Sequence, residues 1–174
     1  MERTDLSSSD LMDANLEDAN LTSADITKAR FRQANLRDAN LTKVFGGRVN
    51  FEEADLAGAI LIKAELPRAN FARANLTNAD LSKADLVRAV LTGAKLQGAN
   101  LRKALLARTD FTSAKLNSAD LTGAYTLLTR FDGADLSGTV GFTQDQLDDA
   151  CGDDDTVLPA GLRKPASWPC VNAE

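Results

Sequence analysis

A strict period of five residues is the feature that most constrains how this chain folds. From Leu6 to Leu136, every fifth residue is Leu, Ile or Phe at 25 of 27 positions, and only Gly46 and Thr126 depart from the rule. The residue two places earlier is Ala at 21 of the 27 positions. A period of five matches neither the 3.6-residue repeat of an amphipathic helix nor the two-residue alternation of a strand. The pattern therefore indicates a repetitive architecture that buries one large and one small side chain per repeat.

Five of the repeat centres are phenylalanines whose spacing indicates a coil of twenty residues. They are Phe31, Phe51, Phe71, Phe111 and Phe131, and all are separated by multiples of twenty. Four repeats would return each ring to the same side of a coil. Rings in successive coils would then stack at the spacing of about 4.8 Å that separates neighbouring strands. The sequence therefore predicts a four-sided coil.

Charged side chains avoid the positions that such a coil turns inward. Residues 1–140 contain 36 Asp, Glu, Lys and Arg residues, and none occupies any of the 54 inward positions. A single coil cannot bury its own apolar side, so stacked neighbours must supply the core. Six repeats end in glycine, where a corner turn would require positive φ; these are Gly58, Gly93, Gly98, Gly123, Gly133 and Gly138.

The consensus Ala-(Asp/Asn)-Leu-x-x, as in Ala14–Asp18 and Ala79–Lys83, resembles the pentapeptide-repeat family over about three quarters of the chain. The resemblance implies an all-β solenoid: a right-handed quadrilateral parallel β-helix, here of about seven coils over residues 1–140. Residues 141–174 are then expected to form a short C-terminal α-helix and an irregular capping tail. The tail motifs Cys-Gly-Asp, Leu-Pro-x-Gly-Leu and Trp-Pro-Cys are similar to a tail found on many bacterial members of the family.

The segment after Gly141 begins with a helix-capping signal. Thr143 and Gln146 form the two ends of a capping box, which predicts a helix from Gln144 to about Ala150. Phe142 and Leu147 are expected to cover the last coil. The remainder of the tail, which contains three of the four prolines, is expected to be an ordered but irregular wrap.

Two irregularities interrupt the repeat. Gly46 leaves a central slot empty, and we expect either Phe45 or the enlarged Val44 and Val49 to fill it. The alternative is a bulge that places Phe45 on the outside as a contact residue. The segment Tyr125–Leu128 places two outward leucines beside a tyrosine, which predicts a surface that the tail covers.

Cys151 and Cys170 are the only cysteines. A structural disulfide between them is the leading interpretation; it would close a loop of about 20 residues and stabilise the fold by about 3 kcal/mol in the chain-entropy model. A disulfide would indicate a periplasmic or secreted protein whose leader was removed, and a reduced pair would indicate the cytoplasm. Met1 is not followed by a visible signal peptide, and no apolar run reaches the length of a membrane span.

The sequence offers little that could carry catalysis. The chain contains no histidine, the commonest general base and metal ligand. Asp153–Asp155 has the composition of a cation site but lacks a calcium-loop pattern, so a solvated acidic turn is the preferred interpretation. Two cysteines without histidine make a poor metal site. We therefore expect no catalytic residue, no cofactor, no metal and no enzymatic activity.

Folding the sequence at twenty residues aligns basic side chains on two adjacent corners. One column contains Lys28, Arg48, Arg68, Arg88 and Arg108, and the other contains Lys43, Lys63, Lys83 and Lys103. Between the columns run Asp25, Phe45, Glu65, Asp85, Leu105 and Tyr125. Over residues 4–138 the two walls carrying these columns have a net charge of +4, and the other two have −4.

Like charges about 4.8 Å apart repel by nearly 1 kcal/mol in water before screening, so the columns require an explanation. The leading interpretation is duplication of a coil together with its charges, which the interleaved acids partly neutralise. The alternative is that the columns, with Phe45, Leu105 and Tyr125, bind an anionic partner such as an acidic protein surface or a polyanion.

Two functions are weighed. The first is a non-enzymatic scaffold or protein-interaction module with an unidentified protein partner. The second comes from the resemblance alone: quinolone-resistance members of the family mimic duplex DNA and bind DNA gyrase, which requires a strongly acidic rod. Residues 1–140 carry 18 acidic and 18 basic residues, so charge disfavours that function.

Three further expectations concern partners and assembly. Too few aromatic residues interleave the basic columns to form a base-stacking groove, so no nucleic acid is expected to bind. A β-helix end is a sheet edge with unpaired backbone groups. We therefore expect the N-terminal coil to fray or to dimerise end to end, so the protein would be a monomer or an end-to-end dimer.

Overall fold

The computed structural model describes residues 2–170, and its backbone forms a β-helix. Parallel bridges join each bridging residue to the one twenty places later, from Asp5↔Asp25 to Asp120↔Val140, without a slip in register. The predicted twenty-residue coil is confirmed. Each wall contributes single-residue bridges and not longer strands, with four bridging residues in every coil. The predicted wrap extends to Glu174, but residues 171–174 lie outside the described part of the chain.

Backbone hydrogen bonds join successive coils on every wall. On one wall Leu36 N donates to Asp55 O at 2.7 Å, and Asn35 N donates to Ala14 O at 2.9 Å. At the corner that follows, Ala39 N donates back to Leu36 O at 3.1 Å, which closes a β-turn. The same arrangement recurs along the chain, so hydrogen bonding between coils and turning within a coil share the five-residue period.

Positive φ is a property of every turn in the prism and not only of the six that contain glycine. From Arg3 to Gly138, the last residue of each repeat has φ between 55° and 70°, and 22 of these residues are not glycine. A type II turn requires positive φ at this position. For a residue with a Cβ, the left-handed conformation costs about 1–2 kcal/mol. We call this site the turn position.

The core follows the predicted pattern. The centroids of the Phe31 and Phe51 rings lie 5.1 Å apart, those of Phe51 and Phe71 lie 5.0 Å apart, and those of Phe111 and Phe131 lie 5.5 Å apart. All five rings are fully buried and lie on one wall. The predicted phenylalanine stack is therefore confirmed, with leucine at the corresponding position in the coil between its two parts.

The slot at Gly46 is closed by the residues of the neighbouring coils. A Cβ at Gly46 would lie 2.6 Å from Leu66 Cδ2, so no void remains. Val44 and Val49 are buried as expected, whereas Phe45 is exposed. Phe45 nevertheless keeps both of its parallel bridges, so the prediction that it fills the slot and the prediction of a bulge are both wrong. Phe45 points outward because it occupies an ordinary outward position of the repeat.

Helix α1 spans Gln144–Asp148, and its predicted capping box is confirmed. Gln146 N donates to the Thr143 side chain, and Thr143 N donates to Gln146 Oε1 at 3.0 Å. The helix ends two residues before the predicted Ala150. The chain becomes extended there because Cys151 enters the bridge ladder of the prism.

Helix α1 closes the end of the prism. Leu147 is fully buried. The Gln146 side chain donates from Nε2 to Ala124 O at 2.7 Å, and the Thr126 hydroxyl donates to Gln146 O at 2.7 Å. The second break in the repeat therefore has a structural reason, because Thr126 supplies a hydrogen bond to the helix. Phe142 contacts Phe131 edge to face, with ring centroids 5.8 Å apart, which confirms that it covers the last coil.

The rest of the tail continues two walls and then folds back. Cys151 and Val157 bridge to the coil below them. Trp168 is buried and donates from Nε1 to Ala150 O at 2.8 Å. The sulfur atoms of Cys151 and Cys170 lie at disulfide-bonding distance, with their Cα atoms 5.5 Å apart. No helix among residues 2–170 has the length and apolarity needed to cross a membrane.

The tail does not cover the side of the prism around Tyr125. Tyr125 and Leu127 both remain exposed, and only Leu128 is half-buried. The prediction that the tail covers this surface is therefore wrong. Helix α1 lies on the end of the prism, held by Thr126 and by the hydrogen bond from Leu128 N to Asp149 O at 2.7 Å.

Candidate interaction surface

One wall of the prism, which we call face A, separates the two basic columns. Its bridging residues are Asp5, Asp25, Phe45, Glu65, Asp85, Leu105 and Tyr125. The column from Lys28 to Arg108 occupies the turn position where the chain leaves face A. The column from Lys43 to Lys103 occupies the turn position where the chain enters it. All nine basic side chains are exposed, so both edges of face A present positive charge to solvent.

None of the nine column residues forms a salt bridge with another residue in the range 2–170. Several arginines outside the columns do form such bridges. Their guanidinium nitrogens lie 2.6–3.2 Å from carboxylate oxygens in the pairs Arg30–Asp10, Arg37–Asp55, Arg102–Asp120 and Arg130–Asp132. The charge of the columns is therefore available to a partner.

The aspartates of face A use their carboxylates locally. Asp25 Oδ1 accepts a hydrogen bond from Thr27 N at 2.9 Å, and Asp85 Oδ1 accepts one from Val87 N at 2.9 Å. These are turns within one repeat. The acids reduce the overall charge of face A, but they do not hold the basic side chains of the columns.

The two basic columns also differ in composition from the other two turn columns. Those columns carry Asp13, Gln33, Glu53, Arg73, Gly93, Ser113 and Gly133 on one corner, and Asp18, Asp38, Gly58, Asn78, Gly98, Ser118 and Gly138 on the other. Gly, Asn and Asp are the residues that tolerate positive φ best. Duplication of a coil would copy all four corners alike. The two basic columns hold Lys or Arg only in the central coils, since the same turn positions carry Ser8 and Leu128 in one column and Ser23 and Gly123 in the other. Over those central coils the other two corners changed while these stayed basic, so duplication alone does not explain them.

Replacing the arginines of the first column by glycine should stabilise the fold. The variant Arg48→Gly/Arg68→Gly/Arg88→Gly/Arg108→Gly relieves left-handed strain of about 1–2 kcal/mol per site. Each glycine also costs about 0.4–1 kcal/mol in unfolded-state entropy. We expect a net gain of about 0.5 kcal/mol per site, or about 2 kcal/mol in total, measured by chemical denaturation.

The reciprocal control for the glycine series is Gly93→Arg. Gly93 has φ of 66°, and a Cβ there would meet nothing closer than 3.6 Å. This variant should lose about 0.5 kcal/mol without a steric clash, because the backbone strain it introduces exceeds the unfolded-state entropy that replacing glycine removes. A glycine series less stable than the wild type would show that the basic columns stabilise the prism.

Face A also exposes apolar side chains. Phe45, Leu105 and Tyr125 are 48%, 45% and 49% exposed, and Leu127 is 39% exposed. Leu105 and Tyr125 are bridged neighbours, so with Leu127 they form one apolar patch near the C-terminal end of the face. Leu127 was not predicted as a contact residue. Its outward position directly after the repeat centre Thr126 was the signal available in the sequence.

The acidic triplet Asp153–Asp155 forms a turn in the tail. Asp153 Oδ1 accepts hydrogen bonds from Gly133 N and the Thr156 hydroxyl, both at 2.9 Å, and Asp154 pairs with Lys164. In the described part of the chain, no group of three or more His, Cys, Asp or Glu side chains is placed to hold a metal ion. The description as a solvated acidic turn fits Asp154 and Asp155, which are exposed, but is wrong for Asp153, which is half-buried and accepts a hydrogen bond from the last coil.

Asp153 should contribute to a pH dependence of stability. The hydrogen bond from Gly133 N is the main reason why the pKa of Asp153 lies below its usual range. A lowered folded-state pKa stabilises the fold above the unfolded pKa of about 3.9, and this stabilisation is lost as the pH falls through the folded-state pKa. The stability difference between wild type and Asp153→Asn should therefore shrink between about pH 5 and pH 2 in thermal melts. The control Asp155→Asn leaves Asp153 in place and should keep the wild-type pH profile; a constant difference for Asp153→Asn would contradict the expectation.

Comparison with known proteins identifies the repeat. A family model described as pentapeptide repeats matches residues 1–38, 50–86 and 84–123, in eight copies. HetL, a pentapeptide repeat protein involved in heterocyst differentiation regulation in the cyanobacterium Nostoc sp. strain PCC 7120, is 26% identical. Its match covers 92% of this chain and 72% of HetL, with a TM-score of 0.55. A comparison with curated proteins gives no significant match.

A second solved structure supports the fold alone. A trypsin-treated variant of QnrB1, described as a plasmid-mediated fluoroquinolone resistance protein, is 20% identical. The match covers 87% of this chain and 84% of QnrB1, with a TM-score of 0.56. At this identity the likeness extends to the β-helix and not to the surface that a partner would contact.

Proposed function

Because this chain belongs to the pentapeptide-repeat family, we propose that it is a non-enzymatic protein-interaction scaffold that binds its partner through face A and the two basic columns. Residues 1–140 would form the binding prism, right-handed and of about seven coils, and residues 141–174 would close its end. The observation that carries the proposal is the row of nine exposed basic side chains without salt bridges in residues 2–170, beside exposed Phe45, Leu105 and Tyr125. Unpaired charge beside exposed apolar area is typical of a binding surface.

The chemistry of the carboxylates supports a role without catalysis. A hydrogen bond from Arg73 lowers the pKa of Glu53, and one from Gly133 lowers that of Asp153. A general acid at neutral pH requires the opposite shift. The chain also lacks histidine. Neither Glu53 nor Asp153 therefore has the raised pKa of a general acid.

Charge reversal on one column tests the proposal. Wild-type protein and the variant Arg68→Glu/Arg88→Glu would be used to capture proteins from the source cell. The matched control is Lys95→Glu/Lys115→Glu, which reverses two exposed, bridged lysines on another wall. We expect a partner that the wild type and the control retain and that the column variant loses by at least about tenfold, a change of about 1.4 kcal/mol. Equal capture by all three proteins would refute the role of the columns.

DNA mimicry with binding to DNA gyrase is the alternative. The likeness of fold to QnrB1 permits it, and charge disfavours it because residues 1–140 have no net charge and carry the basic columns. A gyrase supercoiling assay separates the two functions. Strong inhibition that survives Arg68→Glu/Arg88→Glu would favour the mimic over the scaffold.

We propose an oxidising compartment for this protein, since Cys151 and Cys170 lie at bonding distance. Thiol counting on protein purified without reductant tests this, and two free thiols per chain would contradict it. For assembly we propose a monomer, or an end-to-end dimer through the N-terminal coil. Light scattering at increasing protein concentration distinguishes the two states.

A further inference from the structure

We propose that face A binds an acidic amphipathic α-helix that lies parallel to the long axis of the prism. Acidic side chains on both flanks of this helix would contact the two basic columns. Apolar side chains along its centre would contact Phe45 at one end and the Leu105–Tyr125–Leu127 patch at the other. This inference rests on the proposed scaffold function and adds the chemistry and geometry of the partner.

Charge identifies the partner as acidic and argues against a second copy of this chain. A partner along face A must match positive charge on nine turn positions, five along one edge and four along the other. Along the vertical direction of this prism, acidic residues never occupy the same wall position in more than two successive coils, as at Glu65 and Asp85. Face A therefore finds no complementary column on another copy.

The spacing of the coils favours a helix over an extended strand. Successive basic side chains in a column are separated by about 4.8 Å along the axis. An α-helix returns to the same face every 5.4 Å, whereas a strand does so every two residues, or about 6.7 Å. Over the four steps of the longer column the mismatch is about 2 Å for a helix and about 8 Å for a strand. Flexible Lys and Arg side chains absorb the smaller mismatch.

The bridging residues along the centre of face A determine where the partner helix must carry apolar side chains. From the N-terminal side it reads Phe45, Glu65, Asp85, Leu105 and Tyr125, so two acids separate the apolar ends. Phe45 and Leu105 are three coils apart, or about 14 Å. That distance corresponds to about ten residues of helix, or three turns. The partner therefore needs two apolar anchors about three turns apart, with polar residues between them.

Nucleic acid fits face A less well than an acidic helix does. The phosphates of a polyanion would meet Asp25, Glu65 and Asp85 between the columns, and the whole chain has a net charge of −5. The two aromatic residues of the face, Phe45 and Tyr125, lie four coils apart and cannot stack successive bases. Exposed Leu105 and Leu127 favour an apolar contact, which nucleic acid does not offer.

A synthetic helix tests the proposal with a defined probe. The probe is a peptide of about 20 residues with two leucines three turns apart, glutamates on both flanks and alanine or glutamine elsewhere. The control peptide has the same glutamates and leucines but two central prolines, which break the helix. A second control replaces both leucines by alanine. Binding is measured by calorimetry at low salt and again at physiological salt, since column contacts should be screened.

We expect the helical peptide to bind at least about tenfold more tightly than the proline peptide and about fivefold more tightly than the alanine peptide. Arg68→Glu/Arg88→Glu should weaken binding of all three peptides by at least about tenfold, and Lys95→Glu/Lys115→Glu should change it less than about twofold. Leu105→Ala/Tyr125→Ala removes one of the two apolar contacts, so it should reduce the advantage of the leucine peptide over the alanine peptide to about twofold and leave binding of the alanine peptide unchanged.

Three results would overturn the helical partner. They are equal binding of the helical and proline peptides, no binding of the helical peptide at low salt, and tighter binding of duplex DNA or polyphosphate than of the helical peptide. If a cellular partner still depends on Arg68 and Arg88 while the peptide fails, the scaffold function stands and the helical geometry is wrong. If neither depends on these arginines, both fail.

Discussion

Phe51→Ala should reduce the free energy of unfolding by about 4 kcal/mol, at the upper end for truncation of a core side chain. Phe51 is fully buried between Phe31 and Phe71, with ring centroids 5.1 and 5.0 Å away. Truncation removes its buried area and both stacking contacts, and the neighbouring coils are too firmly bridged to close the cavity. Urea denaturation followed by circular dichroism gives the stability difference.

The control for this cavity is Phe51→Leu. The same wall already carries Leu91 between its two groups of phenylalanines, and Leu91 is fully buried there. Leucine at position 51 should therefore cost only about 1 kcal/mol. If the alanine and leucine variants lose the same stability, the stacked rings are not what stabilises this wall.

Gly152→Ala should detach the tail from the end of the prism. A Cβ at Gly152 would lie 2.3 Å from Trp168 Cζ3, and an indole ring cannot bend away from it. Displacing the ring also breaks its hydrogen bond to Ala150 O. We expect the docked tail to lose about 3 kcal/mol. Trp168 is the only tryptophan and is 6% exposed, so a red shift of its emission reports the detachment.

Two comparisons make the test of the Trp168 anchor specific. Gly47→Ala is the matched control, since no atom lies within 4 Å of a Cβ there, and it should leave the emission unchanged. In a Trp168→Ala background, Gly152→Ala should be nearly neutral when stability is measured by denaturation, because the clashing ring is absent. The coupling energy should then equal almost the whole effect of the single substitution. Similar losses in both backgrounds would show that Gly152 acts through something other than Trp168.

Much of the fold could be predicted because one short period controls both the core and the backbone. The five phenylalanines indicated the coil length, since each is separated from the next by 20 or 40 residues and never by 5 or 10. The capping box at Thr143 was equally informative, because both of its hydrogen bonds involve neighbouring residues. Features encoded within a few residues or by strict repetition are visible without a structure.

Features that depend on contacts between distant segments were not visible. The sequence could not decide whether Phe45 points inward or outward. The answer depends on leucine and isoleucine side chains from the coils above and below, which close the space beside Gly46. Asp153 looked like a solvated acid because its bond to Gly133 N joins residues twenty apart. The position of α1 on the end of the prism, and not over Tyr125, likewise follows from hydrogen bonds that no local pattern predicts.

The basic columns lie between these two cases. Their alignment follows from the period alone, whereas their lack of salt bridges in the described residues required side-chain positions. The comparison between corners needed both the sequence period and the structure, because the positive φ at every turn position is a property of the backbone. Arg68 and Arg88 adopt positive φ at an energetic cost, whereas the glycine, asparagine and aspartate residues at the other corners adopt it more easily.

Because the bridges join residues twenty apart without a slip in register, the length of the prism changes in phase only by whole coils. Excising residues 64–83 would join Lys63 to Ala84 in phase and leave every remaining residue facing as before. Removing a single residue would instead turn all later leucines outward. A change of five residues would keep the core inward but move all later residues to the next wall. Only steps of twenty residues keep the walls aligned, and each such step adds or removes one coil from face A.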